Sequence, residues 1–153
     1  MKSLKLFIIF LIINFGSLAL GSLLMDNGPQ TEWYTNLNKA PWSPPGWLFG
    51  IAWTSIMICL SVLLAKLFSK KPSVKIKITF TLQVIFNIMW NFIFFNNHFI
   101  VLGLINILLL TAVVYYLYIV SKKIEPKYSY LLLPYMIWSV LATSLNAYIV
   151  IYN

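Results

Sequence analysis

The feature that most constrains this chain is a stretch at residues 78–121, which holds 44 residues without a single Lys, Arg, Asp or Glu. As one straight helix it would run to roughly 66 Å at about 1.5 Å per residue, twice the roughly 30 Å of hydrocarbon in a bilayer. The stretch must therefore hold two membrane-spanning helices that fold back on one another. Asn96, Asn97 and His98 form the polar triplet at which we expect the turn.

Composition extends this conclusion to the whole chain of 153 residues. Hydrophobic residues make up 61% and charged residues 9%, against about 45–50% and roughly 25% in a soluble domain. This excludes a cytosolic enzyme, a secreted disulfide scaffold and a disordered tail. Five apolar windows predict one membrane domain over residues 1–153, an all-α integral membrane bundle of five transmembrane helices. The windows are residues 6–25, 46–65, 78–95, 99–121 and 128–151, and a long first loop at 26–45 joins the first two.

The first window allows two interpretations. Lys2 and Lys5 precede an apolar core and a run of small residues, which is the pattern of a cleavable signal peptide ending near residue 21. The apolar run is longer than a usual signal core, so we expect a retained helix. Ser17 and Gly21 would then form a small-residue pair that lets a neighbouring helix approach closely.

The distribution of lysines predicts the orientation. All eleven basic residues are lysines, and the lack of Arg argues against a nucleic-acid partner, which would favour bidentate Arg contacts. Lys39 lies in the first loop with Asp26 and Glu32. The other ten lie before the first helix or in the second and fourth loops: Lys2, Lys5, Lys66, Lys70, Lys71, Lys75, Lys77, Lys122, Lys123 and Lys127. The positive-inside rule therefore predicts a cytoplasmic N-terminus, with the first loop and the C-terminus on the opposite side. The basic linker at 69–77 is interpreted as part of this signal, with an anionic-lipid site as the alternative.

Several chemistries have no residues to support them. The central parts of the windows lack Asp, Glu, Lys, Arg and His, which argues against an ion pump or a proton-coupled carrier. His98 is the single histidine and Cys59 the single cysteine, so we expect no metal site and no intrachain disulfide. No serine–histidine–carboxylate set or other ordinary catalytic constellation is present.

Aromatic and amide residues instead share helix faces. Amides facing lipid cost several kcal/mol each when unpaired, so these faces must turn inward. They could be interhelical hydrogen bonds, as we favour for Asn91 and Asn106, or the walls of a pocket for a flat apolar ligand. The faces at helical spacing are Gly50, Trp53 or Thr54, Met57 and Ser61 in the second window; Gln83, Asn87, Trp90 and Phe94 in the third; and Tyr135, Trp138, Ala142 and Asn146 in the fifth.

The first loop is long for a connection between neighbouring helices, and long loops are often lids. We expect it to cover the pocket through four of its residues: Trp33, Leu37, Lys39 and Trp42. Ser43 is expected to cap the second helix, with Pro44 and Pro45 in its first turn. Pro134 predicts a kink in the fifth helix next to Tyr135.

These motifs resemble the translocator protein family, also called tryptophan-rich sensory proteins or peripheral benzodiazepine receptors. The resemblance is to a bacterial-type member and covers the chain from the first loop to the end, with the motifs in the same order. They are Trp33-Tyr34, Leu37 to Lys39 and Trp42-x-Pro44-Pro45-x-Trp47 with Gly50 and Trp53; Gln83-x3-Asn87-x2-Trp90 with Phe94-Phe95; and Pro134-Tyr135-x2-Trp138 with Ala142-Thr143-x2-Asn146.

The resemblance implies a pocket beneath the first loop that binds porphyrins such as protoporphyrin IX, with no other cofactor. It also implies binding of isoquinoline carboxamide or benzodiazepine ligands, often in a homodimer. Family ligand contacts match Tyr34, Pro44, Trp53, Asn87, Trp90, Trp138 and Ala142, and the helix faces add Tyr135 and Asn146. Some bacterial members break down protoporphyrin IX in light, with tryptophans matching Trp53 and Trp138.

The sequence thus predicts a membrane tetrapyrrole receptor or scavenger that promotes light-dependent porphyrin degradation and stress regulation. The alternatives are a passive transporter of porphyrin or lipid-like molecules and a true porphyrin-degrading enzyme.

Two departures from the family's sequence pattern bear on the partners of this protein. No Lys or Arg follows Tyr148 or Tyr152, which argues against the family's cholesterol-recognition pattern. Bulky Phe80, Val84 and Ile88 replace small residues at one known dimer interface, so the dimer mode stays open.

Overall fold

The structure, a computed structural model, describes residues 2–70 and 72–153. Lys71 and the Lys2 side chain, which the orientation argument counts, lie outside the described part. The helices are α1 (Lys2–Met25), α2 (Glu32–Asn36), α3 (Gly46–Ser69), α4 (Val74–Asn91), α5 (Ile100–Ile124), α6 (Pro126–Ser129) and α7 (Leu133–Tyr152). Short 3-10 turns occupy Gly28–Gln30 and Tyr130–Leu132, and a π-helix at Phe92–Asn96 extends α4. The described residues contain no β-strand.

The predicted five-helix membrane architecture is confirmed. Five helical segments are long and apolar enough to cross a membrane: Ser3–Met25, Gly46–Ser69, Val74–Asn96, Ile100–Ile124 and Pro126–Tyr152. Most run several residues past the predicted windows at their lysine-bearing ends. A helix tolerates this extension because lysine keeps its ammonium in water while its methylene stem lies along apolar surface.

The five spans form a closed ring. α1 packs against α3 and α4, α5 packs against α4 and α7, and α7 returns to α3. Large apolar side chains fill the interior, among them Met57, Leu63, Leu110 and Leu117.

Small and amide residues allow close helix contacts, as predicted. Gly21 on α1 lies so close to α4 that a Cβ atom there would be 2.7 Å from Asn91 Nδ2. Ser17, one turn earlier, is buried. Asn106 of α5 donates from Nδ2 to the Phe86 carbonyl of α4 at 2.8 Å, so its role as an interhelical hydrogen-bond donor is confirmed. Asn91, predicted for the same role, makes no side-chain hydrogen bond among the described residues and instead packs against Gly21.

The turn predicted at residues 96–98 is also confirmed. The π-helix ends at Asn96, the Asn97 N–H donates to the Phe92 carbonyl at 3.0 Å, and His98 has a positive φ of 60°. This φ reverses the chain between α4 and α5.

Two contacts place the loops at opposite ends of the bundle. Lys70 and Glu125 form an ion pair of 2.6 Å that brings the second and fourth loops together. At the other end, Asn38 of the first loop donates from Nδ2 to the Tyr152 carbonyl at 2.9 Å. The end that faces the cytoplasm stays a prediction from the lysines.

One local prediction is wrong and another is confirmed. Pro45, with ψ of 149°, is the residue before α3, and Ser43 lies outside the helix and does not cap it. The reason is that a residue before proline is driven away from helical backbone angles, which affects both Ser43 and Pro44. The prediction of a break at Pro134 is confirmed. The fifth span, Pro126–Tyr152, changes from α-helix to a 3-10 turn at Tyr130–Leu132, one turn before Pro134. Pro134 then lies in the first turn of α7, where its missing N–H costs nothing.

Candidate functional site

A hydrogen-bonded group joins α4 to α7 in the interior of the bundle. The Tyr135 hydroxyl accepts hydrogen bonds from Gln83 Nε2 at 2.9 Å and from Asn87 Nδ2 at 3.0 Å. All three side chains are buried, and Tyr135 is 1% exposed. The predicted inward orientation of both faces is therefore confirmed.

A second link between the same helices lies closer to the first loop. Trp90 Nε1 donates to Asn146 Oδ1 at 3.2 Å, and Asn146 Nδ2 donates to the Ala142 carbonyl one turn earlier at 2.9 Å. Because both the oxygen and the nitrogen of the Asn146 side-chain amide are hydrogen-bonded, the orientations of this amide and of the Trp90 indole are fixed together.

The three tryptophans of the inward helix faces, Trp53, Trp90 and Trp138, which we call the deep tryptophans, each contact another aromatic ring. Trp53 of α3 meets Tyr135 edge-on at a centroid distance of 5.8 Å. Trp138 of α7 meets Phe49 of α3 at 5.1 Å, also edge-on. The α3–α7 contact is therefore lined by these aromatic pairs.

The sequence left open whether Trp53 or Thr54 faces inward in the second window, and the structure distinguishes the two. Met57 and Ser61 are fully buried and Trp53 is half-buried, whereas Thr54 and Gly50 are exposed. The inward face of α3 thus follows Trp53, Met57 and Ser61. Phe49, one turn before Trp53, shares this face and was missed, although its i, i+4 spacing to Trp53 could have indicated it.

The first loop covers the end of α4 with aromatic side chains. Trp33 stacks on His98 with a centroid distance of 4.0 Å and an interplanar angle of 13°. Tyr34 lies 5.1 Å from Phe95, and Trp33 lies 5.5 Å from Phe94, both edge-on. Burial raises the pKa of the Tyr34 phenol, so this ring stays neutral well above physiological pH.

Phe94 connects this covering layer to the deeper group. It stacks on Trp90 at 5.2 Å with an interplanar angle of 9°. Leu37 is half-buried against the same cluster. Rings therefore continue from Trp33 through Phe94 and Trp90 into the bundle.

The loop is fastened to α7 by hydrogen bonds. The Asn38 backbone N–H donates to Asn153 Oδ1 at 2.9 Å, in addition to the bond from its side chain to Tyr152. Trp42 Nε1 donates to Ser144 Oγ at 3.1 Å. Asn38 lies within the Leu37–Lys39 motif of the resemblance, but no role was predicted for it, and nothing in the sequence pattern pointed to Ser144.

The remaining predicted residues lie at the edge of the site. Pro44 is half-buried two residues before α3, and Ala142 is half-buried on α7. Trp42 is 52% exposed and reaches α7 from outside. Lys39 turns back on the loop, donating from Nζ to the Tyr34 carbonyl at 2.9 Å, with its ammonium 4.8 Å from the Tyr34 ring centroid.

Apart from the Lys39 ammonium at its edge, the site contains only neutral groups. Its polar groups are amides, a phenol and an indole N–H, which can orient a hydrogen-bonding ligand but cannot perform ordinary acid–base catalysis at neutral pH. Within residues 2–70 and 72–153, no group of three His, Cys, Asp or Glu side chains is placed to hold a metal ion.

Sequence comparison agrees with this arrangement. Residues 7–152 match the sequence model of the TspO/MBR family. The tryptophan-rich protein TspO of Archaeoglobus fulgidus is 34% identical over 135 residues, 87% of each chain. That of Chlorobaculum tepidum is 33% identical over 122 residues, 77% of each chain. The tryptophan-rich sensory protein of Cereibacter sphaeroides is 30% identical over 141 residues, 92% of this chain and 87% of its own. The chain is thus a multi-pass integral membrane protein that belongs to the TspO/MBR family.

Proposed function

We propose that the site beneath the first loop binds a tetrapyrrole such as protoporphyrin IX, and that the protein is a membrane receptor or scavenger for it. The observation that carries the proposal is the set of three deep indoles, Trp53, Trp90 and Trp138, each held against another ring inside an uncharged bundle. Flat aromatic ligands are bound by aromatic walls with a few fixed polar groups. Family membership, with relatives named as sensory proteins, supports a sensory or transport-related role in the membrane.

The ligand would enter where α3 meets α7. The aromatic pairs Phe49–Trp138 and Trp53–Tyr135 line this contact, and side-chain rotation could open a slot between them. Gln83 and Asn87 hold Tyr135 from the α4 side, so Tyr135 would act as the fixed wall.

The first loop would close over the ligand. A porphyrin carries two propionates on one edge, which need a polar environment. Lys39 supplies a positive charge at the loop end of the site, where its Nζ now contacts the Tyr34 and Thr35 carbonyls. We expect the propionates to lie on this side and to replace those carbonyl contacts.

The test is a titration of the purified protein with protoporphyrin IX, followed by tryptophan fluorescence quenching. Trp53→Phe and Trp138→Phe each keep a ring but lose contact area, so affinity should fall by no more than about tenfold per site. Trp47, which is 67% exposed on the first turn of α3, gives the matched control, and Trp47→Phe should bind as the unchanged protein does. An isoquinoline carboxamide should compete for the same site.

Failure of the unchanged protein to bind protoporphyrin IX would contradict the proposal. An equal affinity loss in Trp47→Phe and Trp138→Phe would contradict the placement of the site. Flux of porphyrin into proteoliposomes, faster than in protein-free vesicles, would instead support the passive transporter.

The position of two indoles, half-buried Trp53 and buried Trp138, on the α3–α7 contact favours light-dependent porphyrin degradation as a second candidate. An indole can donate one electron to a light-excited porphyrin, which leaves an indole radical cation and a porphyrin radical anion. Dissolved dioxygen would be the oxidant that opens the macrocycle, and an added reductant would restore the indole. Trp53 and Trp138 lie on either side of the α3–α7 contact. Turnover of more than one porphyrin per protein in light would separate catalysis from simple quenching.

A further inference from the structure

Two fully buried amide oxygens inside the bundle lack a hydrogen-bond donor among residues 2–70 and 72–153. They are Asn14 Oδ1 on α1 and Gln83 Oε1 on α4, and both side chains are 0% exposed. A buried carbonyl oxygen without a donor is unfavourable, because it has given up its hydrogen bonds to water and gained none in return. Each oxygen therefore needs a donor that the surrounding side chains do not supply.

The neighbouring hydrogen bonds explain why these atoms are left over. Ser61 Oγ donates its proton to the Met57 carbonyl at 2.7 Å, so it can only accept from Asn14 Nδ2, at 2.8 Å. Asn14 must therefore present its nitrogen to Ser61 and leave Oδ1 unpaired. Turning the Gln83 amide over would exchange its unpaired oxygen for an unpaired nitrogen. One atom of the Gln83 amide thus lacks a protein partner in either orientation.

The register of α1 against α4 places the two amides at the same level. Phe10 of α1 meets Phe80 of α4 edge-on at a centroid distance of 5.5 Å, and Gly21 lies against Asn91. Asn14 comes one turn after Phe10 and two turns before Gly21, so it lies on the same face of α1. The same register sets Asn14 level with positions 83 and 84 of α4.

The depth of the two oxygens restricts what can lie between them. Asn14 is the middle residue of the span Ser3–Met25, and Gln83 is near the middle of the span Val74–Asn96, so both are far from bulk water. A cation at this depth would need a compensating charge, and the middle parts of the spans contain no Asp or Glu. A single water molecule is neutral and has two protons, one for each oxygen.

We propose that one buried water molecule donates hydrogen bonds to Asn14 Oδ1 and Gln83 Oε1 and thereby joins α1 to α4. Tyr135 supplies the third contact of this water. Its hydroxyl oxygen accepts from Gln83 Nε2 and Asn87 Nδ2, so its proton is left to donate, and a water beside Gln83 can accept it. The water then makes three hydrogen bonds, the usual number for a buried water. The proposal goes beyond tetrapyrrole binding and does not depend on it.

An experimental structure of the full chain, crystallised in a lipidic mesophase without added ligand, tests the placement directly. The expected result is density for one water within hydrogen-bond distance of both Asn14 Oδ1 and Gln83 Oε1. Two outcomes would overturn the proposal. Either each oxygen would have a separate protein donor, or the two oxygens would lie too far apart for one water to reach both.

A double-mutant cycle tests the same bridge in detergent micelles. Asn14→Leu and Gln83→Met each remove one acceptor and keep a side chain of similar size, and reversible unfolding gives the equilibrium constant for each variant. Either substitution leaves the water short of a partner, so the second substitution should weaken the fold less than the first. The combined increase in the unfolding constant should be about fivefold smaller than the product of the single effects. Helical circular dichroism establishes that each variant folds.

The matched control combines Asn14→Leu with Asn106→Leu. Asn106 is also a buried amide, but it donates to the Phe86 carbonyl on the side of α4 that meets α5, so these two effects should be independent. Independent effects of Asn14→Leu and Gln83→Met would contradict the bridge. Stabilisation of the unchanged protein by sodium chloride over choline chloride, lost in Asn14→Leu, would mean that the oxygens hold a sodium ion and would overturn the assignment to water.

Discussion

Removing one hydroxyl group should destabilise the whole bundle, because Tyr135 alone accepts two interhelical hydrogen bonds. In Tyr135→Phe the ring remains against Trp53, but Gln83 Nε2 and Asn87 Nδ2 lose their acceptor. Gln83 is fully buried, and its Oε1 already has no partner among the described residues. The variant would therefore leave the whole Gln83 amide unsatisfied.

The magnitude follows from two lost bonds in an apolar interior. Interhelical side-chain hydrogen bonds in membrane proteins contribute about 0.6 kcal/mol on average and up to about 1.7. An unsatisfied buried polar group costs about 1–3 kcal/mol. We expect the free energy of unfolding to fall by about 1–3 kcal/mol, since the apolar contacts of the ring are kept.

The assay is reversible unfolding in mixed detergent micelles, followed by helical circular dichroism. Tyr130→Phe is the control, because Tyr130 is 55% exposed on the turn before α7. In a Gln83→Leu background, Tyr135→Phe should lower the free energy of unfolding by less, because the Gln83 donor that would be left without an acceptor is absent. A Tyr135→Phe variant as stable as the control, or the same loss in both backgrounds, would refute the argument.

Four further outcomes follow from the same structure. A cytoplasm-dependent reporter should be active in the second and fourth loops and inactive at the C-terminus; activity at the C-terminus would contradict the orientation. Gly21→Leu should destabilise the protein by about 1–3 kcal/mol through overpacking, whereas Gly16→Leu, with no atom within 4 Å of its Cβ position, should be neutral in thermal unfolding. Asn38→Ala should speed porphyrin release about threefold in stopped-flow measurements, since the side-chain hydrogen bond from Asn38 Nδ2 to the Tyr152 carbonyl is lost while the backbone bond to Asn153 stays; an unchanged rate would mean that the loop is only a connector. Trp53→Phe combined with Trp138→Phe should slow light-driven loss of protoporphyrin IX absorbance far more than it weakens binding, and an unchanged bleaching rate would exclude a photochemical role.

The spans and inward faces could be predicted because the bilayer leaves few options. A 44-residue uncharged stretch must turn once, and amides such as Gln83 and Asn146 must face partners inside the bundle. Helix periodicity then fixes which neighbours share their face. These constraints act locally along the chain and are visible in the sequence.

The partners across the bundle could not be predicted in the same way. Nothing in the sequence indicates that the Tyr135 hydroxyl accepts hydrogen bonds from the side-chain amides of both Gln83 and Asn87 in α4. Nor does the sequence indicate that Trp33 stacks on His98. Such pairs depend on the relative rotation and height of helices distant in sequence. The error at Ser43 has a local cause, because two consecutive prolines delayed the start of α3 to Gly46.

The central claim is that a tetrapyrrole binds inside the bundle beneath the first loop. The most direct measurement is an experimental structure of the protein with protoporphyrin IX. We predict porphyrin density at the α3–α7 contact, in van der Waals contact with Trp53 and Trp138, below the first loop and with its propionates toward Lys39. Porphyrin density confined to the outer, lipid-facing surface, with the Trp53–Tyr135 and Phe49–Trp138 pairs still closed, would contradict the account.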